Sequence, residues 1–167
     1  LRINPYHQKV NIRSGSQRMF TLLDNYHANT IREGIQLHMA LERMRSAEDL
    51  SKVLEQLHIE GVISEKDQAN IKAKVNSLFN HSVFPLFFAP GWEIFTEREI
   101  AHEGSWFKPD RVMVKGDEAL VVDYKREKED AKHHRQLNQY AELLAKMGYR
   151  GIRKYLVYVE DLNIVEV

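Results

Sequence analysis

The chain has 167 residues, of which 43% are hydrophobic and 29% charged, and its formal net charge is zero. This length is enough for one domain with a sizeable core. A neutral charge disfavours a free-standing nucleic-acid binder, which usually has a basic excess. The absence of cysteine excludes disulfides, zinc–thiolate sites and iron–sulfur clusters, and it fits a cytoplasmic protein. No apolar run reaches the ~18 residues of a membrane span, so no membrane partner is expected.

The N-terminal 29 residues are predicted to form a linker or arm, because residues 1–18 are polar and contain proline and glycine. A single domain is predicted for residues 30–167, with a helical part at 30–91 and a sheet with its flanking helix at 92–160. The chain begins with Leu1 rather than Met, from which we expect a fragment of a longer polypeptide.

Three helices are predicted in the helical part from their N-terminal capping residues. The predicted starts are Thr30, Ser46 and Ser64, and the second and third helices are predicted to end near Gly61 and Phe79. The apolar segment 81–91 contains two prolines and is predicted to be a short buried turn or helix.

The composition changes to β character after residue 91. Strands are predicted at 92–101, 106–115, 118–125 and 154–159, with a helix from about 132 to 147 before the last strand. Three antiparallel strands, a helix and a further strand indicate an α/β or α+β fold with one mixed sheet flanked by helices. The final connection is long enough for a right-handed parallel crossover.

The hairpin around Gly116-Asp117 carries the most informative residues. A two-residue loop with glycine first fits a type II′ turn, and it places Asp110 opposite Asp123. A four-residue loop gives the same register. Lys125 projects from the same face as Asp123. Like charges facing each other destabilise a sheet, so the paired aspartates indicate a specialised site.

Two carboxylates and one ammonium at a hairpin end are typical of a hydrolytic site that uses a divalent metal. Hard oxygen ligands select Mg²⁺ or Mn²⁺. The alternative is a solvated cluster of surface charges, since most Asp-x-Lys strand ends are of that kind. An odd-length loop would also send the two aspartates to opposite faces.

Three further residues are candidates for the same site. His38 shares the inward face of the first helix and is a candidate metal ligand, or else a hydrogen-bonded core histidine. Gln136 and Tyr140 lie four residues apart on one helix face. They are predicted to be a hydrogen-bonding pair held over the metal site, or else a polar edge beside a core tyrosine. Phosphate contacts are predicted for three basic residues that also fit a solvated surface, namely Arg126, Lys132 and Arg135.

The ordered set of motifs resembles the PD-(D/E)-x-K nuclease superfamily, specifically the C-terminal nuclease domain of RecB/AddA-type ATP-dependent helicase–nucleases. The resemblance covers roughly residues 30–160. Its motifs are Gly34-x-x-x-His38-x-x-Leu41-Glu42, Thr96-Glu97, Pro109-Asp110, Val-Val-Asp123-Tyr-Lys125 and Gln136-x-x-x-Tyr140. Where the family usually has threonine or serine after the lysine, this chain has Arg126.

The resemblance implies a restriction-endonuclease-like core with an N-terminal helical extension and a metal-dependent DNA exonuclease activity. Asp110, Asp123, His38 and the backbone carbonyl of Tyr124 would hold Mg²⁺ or Mn²⁺, and Lys125 would act with the aspartates in catalysis. Gln136 and Tyr140 would position the substrate strand. DNA is the implied substrate. The implied partners are a helicase domain in the same polypeptide and a second helicase–nuclease subunit. No iron–sulfur cluster is expected.

Two other functions stay open at this point. The chain could be a non-catalytic DNA clamp or interaction module of the same fold, in which the chemistry has been lost. It could also be a stand-alone structure-specific endonuclease of the same superfamily.

Overall fold

The structure is a computed structural model that describes residues 25–96, 99–102 and 105–167. The chain divides into two units, Leu1–Glu33 and Gly34–Val167. Of the first unit, only the start of a helix is described, so nearly all of the predicted linker lies outside the described residues. The candidate residues that the structure describes all belong to the second unit.

The helical part matches the predicted caps, except at its start. Ser64 begins a helix through a reciprocal capping box, in which Asp67 N–H donates to Ser64 Oγ and Ser64 N–H donates to Asp67 Oδ2. Ser46 N–H likewise donates to Asp49 Oδ2. The bounds are α1 Asn25–Arg43, a 3₁₀ turn Ala47–Asp49, α2 Leu50–Ile59, α3 Glu65–Phe79 and a second 3₁₀ turn Phe84–Phe88.

The predicted start of the first helix at Thr30 is wrong, because α1 already includes Asn25. A Ser/Thr-x-x-Glu pattern caps a helix only where the preceding backbone is extended. Residues 25–29 contain no proline or glycine that would interrupt the helix there.

A five-stranded mixed sheet forms the centre of the fold, with strand order β1-β4-β5-β6-β7. The strands β5 and β6 are parallel and joined through a helix, as predicted, and the other neighbours are antiparallel. A separate two-stranded ribbon pairs β2 with β3. The bounds are β1 Glu93–Thr96, β2 Ile100–His102, β3 Ser105–Phe107, β4 Arg111–Lys115, β5 Glu118–Lys125, α4 Ala131–Lys146, β6 Gly151–Tyr158 and β7 Asn163–Glu166.

Several predicted strand limits are wrong. The predicted strand 106–115 is interrupted between β3 and β4, where Pro109 has no N–H to donate to a ladder. The predicted strand 92–101 likewise divides into β1 and β2. The last predicted strand begins earlier, at Gly151, because its parallel pairing with β5 extends through residues of weak β propensity. The short strand β7 was not predicted.

The predicted hairpin register is confirmed. Val112 pairs with Val121, and the ladder ends at Arg111 opposite Val122. Gly116 has a φ of +61°, the positive value that the first central position of a type II′ turn requires. Asp110 lies in a bend one residue before Arg111, at the open end of the hairpin. Asp123 lies one residue after Val122 at that same end.

Two hydrophobic clusters pack on opposite faces of the sheet, because alternate residues of each strand point to opposite sides. Met113 and Val122 pack with α1, α2 and α3, while Val112 and Val121 pack with α4. The chain therefore has a mixed sheet flanked by helices. Within the described residues, no helix has the length and apolarity that a membrane crossing requires.

Arg111 is completely buried and holds the C-terminal end of α1 against the sheet. Its guanidinium donates to the carbonyls of Leu41 (3.0 Å) and Met44, and to the carbonyl of Phe87 (3.1 Å). Its Nε donates to Tyr124 Oη at 3.2 Å. These donors satisfy carbonyl groups at a helix end that have no partner within the helix. Nothing in the sequence predicted this role.

Arg111→Met is expected to lower the free energy of unfolding by about 3 kcal/mol or more. It removes the shared donor of several buried carbonyls, and each group left unpaired costs about 1–3 kcal/mol. Urea unfolding measures the loss. The exposed Arg150 is the matched control, since Arg150→Met should change stability by no more than about 0.5 kcal/mol. Equal effects of the two substitutions would contradict the prediction.

Candidate metal and catalytic site

The two predicted aspartates come together at the end of the β4–β5 hairpin. Asp110 Oδ2 accepts a hydrogen bond from Tyr124 N–H at 2.7 Å, so its side chain satisfies a main-chain donor of β5 just beyond the ladder. Asp110 and Asp123 lie close enough for each carboxyl group to shift the pKa of the other. The hairpin therefore brings the two predicted side chains together.

The environment separates the pKa values of these two carboxyl groups. Burial, the charge of Asp110 and its hydrogen bond raise the pKa of Asp123 to about 7, although the charge of Lys125 acts in the opposite direction. Burial also acts to raise the pKa of Asp110, but the hydrogen bond and charge of His38 outweigh it. The Asp110 pKa is therefore lowered. Below about pH 7, these shifts favour protonation of Asp123 and ionisation of Asp110.

His38 joins the aspartates from the first helix. Its Nε2 lies 3.2 Å from Asp110 Oδ2 and 3.3 Å from Glu42 Oε1, one turn further along α1. Burial acts to lower the pKa of His38, but the hydrogen bond and charge of Asp110, with the charges of Glu42 and Asp123, raise it overall. The ring also packs edge-on against Tyr124, with the ring centroids 5.6 Å apart. The surrounding carboxyl groups therefore favour the protonated form of the His38 ring.

The arrangement fits a divalent cation. His38, Glu42 and Asp110 each offer one ligand atom, and these three atoms lie within 4.8 Å of one another. Asp123 Oδ2 is buried and accepts no directed hydrogen bond. Lys125 Nζ lies 2.6 Å from it, but as an ion pair without hydrogen-bond geometry. One imidazole among carboxylate oxygens suits Mn²⁺ or Mg²⁺. The part of the Tyr124 carbonyl in metal binding stays a prediction.

A chain of hydrogen bonds fixes Lys125 on the side of α4. Lys125 Nζ donates to Gln136 Oε1 at 2.8 Å, and Gln136 Nε2 donates to Tyr140 Oη at 2.8 Å. Tyr140 Oη donates to the Lys108 carbonyl at 3.5 Å. Burial and the charge of Asp123 raise the pKa of Tyr140 to about 12, so its hydroxyl remains a donor. The predicted pairing of Gln136 with Tyr140 is present, and it supports the lysine.

One open cleft of about 690 Å³ is lined by most of these groups, among them His38, both aspartates, Lys125 and Gln136. Among the predicted phosphate contacts, Arg126 and Lys132 line the cleft, and Lys132 pairs with Glu127 at 2.8 Å. Arg135 is exposed on α4 and is not part of the cleft lining. The lining residues are Ile35, His38, Lys108, Asp110, Asp123, Tyr124, Lys125, Arg126, Glu127, Lys132, His133 and Gln136.

The sequence analysis missed two residues of this site. Glu42 was quoted only as part of a motif, although its i,i+4 spacing from His38 places both on one helix face. His133 is buried in the cleft wall, with Nδ1 3.3 Å from Tyr158 Oη and Nε2 3.3 Å from Glu127 Oε2. Its spacing of three residues from Gln136 was the available signal.

Comparison with known proteins does not identify this site. No protein-family model matches the chain, and no curated protein matches it significantly. Glu97, part of the motif at the first strand, lies outside the described residues. The geometry of the cleft and the motifs are therefore the basis for a proposed function.

In the presence of a chelator, the free energy of unfolding is expected to fall between pH 4 and pH 7. The raised pKa of Asp123 contributes stability that is complete below pH 3.8 and is lost as the pH rises through about 7. This pKa difference corresponds to roughly 4 kcal/mol. Asp110, whose pKa is lowered, contributes stability that is present above pH 3.8 and is lost only at lower pH, so it does not alter this slope. Urea unfolding at several pH values measures the slope, and Asp123→Asn should flatten it. An unchanged slope in that variant would contradict the assignment.

Glu42→Gln is expected to weaken Mn²⁺ binding by about tenfold or more, equivalent to about 1.4 kcal/mol, because it removes a carboxylate charge beside His38 and Asp110. Isothermal titration calorimetry measures the affinity. The exposed Glu55 of α2 provides the control, since Glu55→Gln should leave the affinity unchanged. Wild-type affinity in the Glu42 variant would exclude Glu42 as a ligand.

Proposed function

We propose that the chain is a Mg²⁺- or Mn²⁺-dependent deoxyribonuclease domain that hydrolyses phosphodiester bonds as an exonuclease. The observation that carries the proposal is the contact of Asp110, Asp123 and Lys125 in one cleft. Lys125 Nζ lies 2.6 Å from Asp123 Oδ2, and the charge of the neighbouring Asp110 contributes to the raised pKa of Asp123. The Asp123 side chain is only 4% exposed. Charged groups of a solvated surface cluster stay exposed to water, so this burial argues against such a cluster.

The fold supports the proposal through the position of this cleft. The cleft lies at the end of the β4–β5 hairpin, with α1 on one face of the sheet and α4 on the other. A mixed sheet with flanking helices is also what the nuclease motifs imply. We therefore propose a restriction-endonuclease-like core for this chain.

His38, Glu42, Asp110 and Asp123 would hold the metal. A bound divalent cation would polarise the scissile phosphate and lower the pKa of a water molecule. Deprotonation of Asp123 would supply a third negative ligand beside Glu42 and Asp110. Ionisation of both buried aspartates would then become favourable, because the cation would offset the repulsion between their charges.

Lys125 would orient the attacking water and stabilise the charge that develops on the phosphate. An ammonium group has three N–H donors and no acceptor, so it suits an anionic transition state. Its contacts with Asp123 and Gln136 leave donor capacity for a further partner in the cleft. A general-base role for Lys125 is the secondary alternative.

Basic side chains surround the acidic pair in the cleft. Lys108, Arg126 and Lys132 line it, and Lys132 is paired with Glu127. Basic side chains at such a cleft suit contacts with a phosphate backbone. Arg126 follows the catalytic lysine directly, so its guanidinium would contact phosphate where the resembled family has a hydroxyl group.

Two alternatives are distinguishable by experiment. A DNA clamp of the same fold would bind DNA without hydrolysis, and a stand-alone structure-specific endonuclease would cut within a strand. The proposed partners, a helicase domain in the same polypeptide and a second helicase–nuclease subunit, follow from the motif resemblance alone.

Asp123→Asn is expected to reduce Mg²⁺-dependent DNA hydrolysis by about a thousandfold or more, since metal-assisted charge stabilisation contributes several kcal/mol. The assay uses single- and double-stranded DNA labelled at one end, with Mg²⁺, Mn²⁺ or a chelator. Release of single nucleotides from an end would support exonuclease action.

The matched control is Asp117→Asn in the exposed turn of the same hairpin. This variant should hydrolyse DNA at the wild-type rate. Hydrolysis by the Asp123 variant at the wild-type rate would exclude the proposed chemistry, whereas DNA binding without hydrolysis by the wild type would favour the clamp.

Gln136→Ala is expected to lower kcat by about 10- to 100-fold with little change in KM. Gln136 holds Lys125, so the substitution would remove an interaction used mainly in the transition state. Steady-state hydrolysis of a short oligonucleotide separates the two constants. Gln139→Ala, at an exposed position of α4, should change neither. A rise in KM alone would assign Gln136 to substrate binding instead.

A further inference from the structure

The ribbon formed by β2 and β3 presents an exposed indole. Trp106 is 71% exposed, although tryptophan is among the residues that gain most from burial. Ile59, Leu86 and Met147 are the other large hydrophobic side chains exposed in the described part of the chain. Trp106 differs from them because the residues that directly follow it in the chain contact the candidate site.

Two contacts join this strand to the catalytic machinery. Phe107 packs edge-on against Tyr140, with ring centroids 6.1 Å apart and an interplanar angle of 88°. The next residue, Lys108, accepts the hydrogen bond of Tyr140 through its carbonyl. Because Tyr140 is hydrogen-bonded to Gln136, the strand is fixed to the residues that hold Lys125.

The alternation of side chains defines the direction of Trp106. Neighbouring residues of an extended strand point to opposite sides. Phe107 packs against Tyr140 of α4, so Trp106, the preceding residue of β3, points away from that contact. Lys108 follows two residues later and lines the cleft. Trp106 is therefore an exposed ring two positions along the chain from a cation of the cleft.

We propose that Trp106 stacks on an unpaired nucleobase adjacent to the phosphate that enters the cleft. This inference rests on the proposed function and assigns a base-binding position to it. A flat π-surface beside a phosphate-binding cation is the arrangement that single-stranded nucleic acids use, since the bases stack on aromatic side chains while the backbone follows positive charge. Internal bases of a duplex have both faces covered, so they cannot occupy this position.

The test measures binding through Trp106 fluorescence in a Trp92→Phe background, which leaves one tryptophan in the 167-residue chain. The probes are oligothymidylate, an abasic chain of the same length with the same phosphates, and a blunt duplex. Ca²⁺ replaces Mg²⁺, and intact probe is verified after each titration. Affinities of tryptophan-free variants are measured with a labelled probe.

Oligothymidylate should quench the fluorescence, and the abasic chain should not. Trp106→Ala should weaken oligothymidylate binding by about 5- to 150-fold, the equivalent of 1–3 kcal/mol per stacked base, and leave binding of the abasic chain unchanged. Trp106→Phe should retain most of the affinity, because it keeps an aromatic face. Ile59→Ala, which removes an equally exposed apolar side chain from α2, should have no effect.

An equal loss for the abasic chain, or an equal Trp106-dependent gain for the duplex, would overturn the assignment. Hydrolysis by the wild-type chain with no effect of Trp106→Ala on binding would refute the stacking role and leave the proposed nuclease intact. Base-dependent quenching without any hydrolysis by the wild-type chain would support the stacking role and refute the nuclease.

Discussion

The buried guanidinium of Arg111 is the interaction on which the site depends. It joins the carbonyl groups at the end of α1 to the start of β4, and so determines how α1 lies on the sheet. Asp110 is the preceding residue, and His38 lies one turn before Leu41 on the same helix. The attachment that satisfies the helix end thus also brings an imidazole within 3.2 Å of the first aspartate. Stability and site geometry therefore have a common origin here.

The acidic pair has the opposite relation to stability. Two buried carboxyl groups in contact cannot both ionise, so the metal-free fold retains a proton on Asp123 up to a pH of about 7. The lysine, the histidine and the main-chain donor of Tyr124 each compensate part of this unfavourable burial. A bound cation would replace the proton on Asp123 and offset the remaining electrostatic cost of burying both carboxylates. Unfavourable burial of this kind is common at functional sites, where residues are selected for binding a ligand rather than for the stability of the fold.

The cleft combines contributions from both faces of the sheet. The helix α1 supplies the groups with metal-ligand chemistry, and α4 supplies the amide and hydroxyl that hold Lys125. The break between β3 and β4 supplies the rest, because it frees Asp110 from the ladder and contains Lys108, which lines the cleft. Each part is ordinary by itself. Their convergence in one cleft, rather than similarity to a known protein, is the basis of the functional proposal.

Features that depend on local rules could be predicted from the sequence. The cap at Ser64 and the register of the β4–β5 hairpin follow from side-chain hydrogen bonding and turn geometry over a few residues. The same register predicted that Asp110 and Asp123 meet, with Lys125 on the same face. The approach of Glu42 to Asp110 and the burial of Arg111 come instead from the packing of α1 on the sheet. Those contacts join residues about 70 positions apart, and the partners of Arg111 are mainly main-chain carbonyls, which have no side-chain signature. Long-range packing selects them, and no local pattern records that choice.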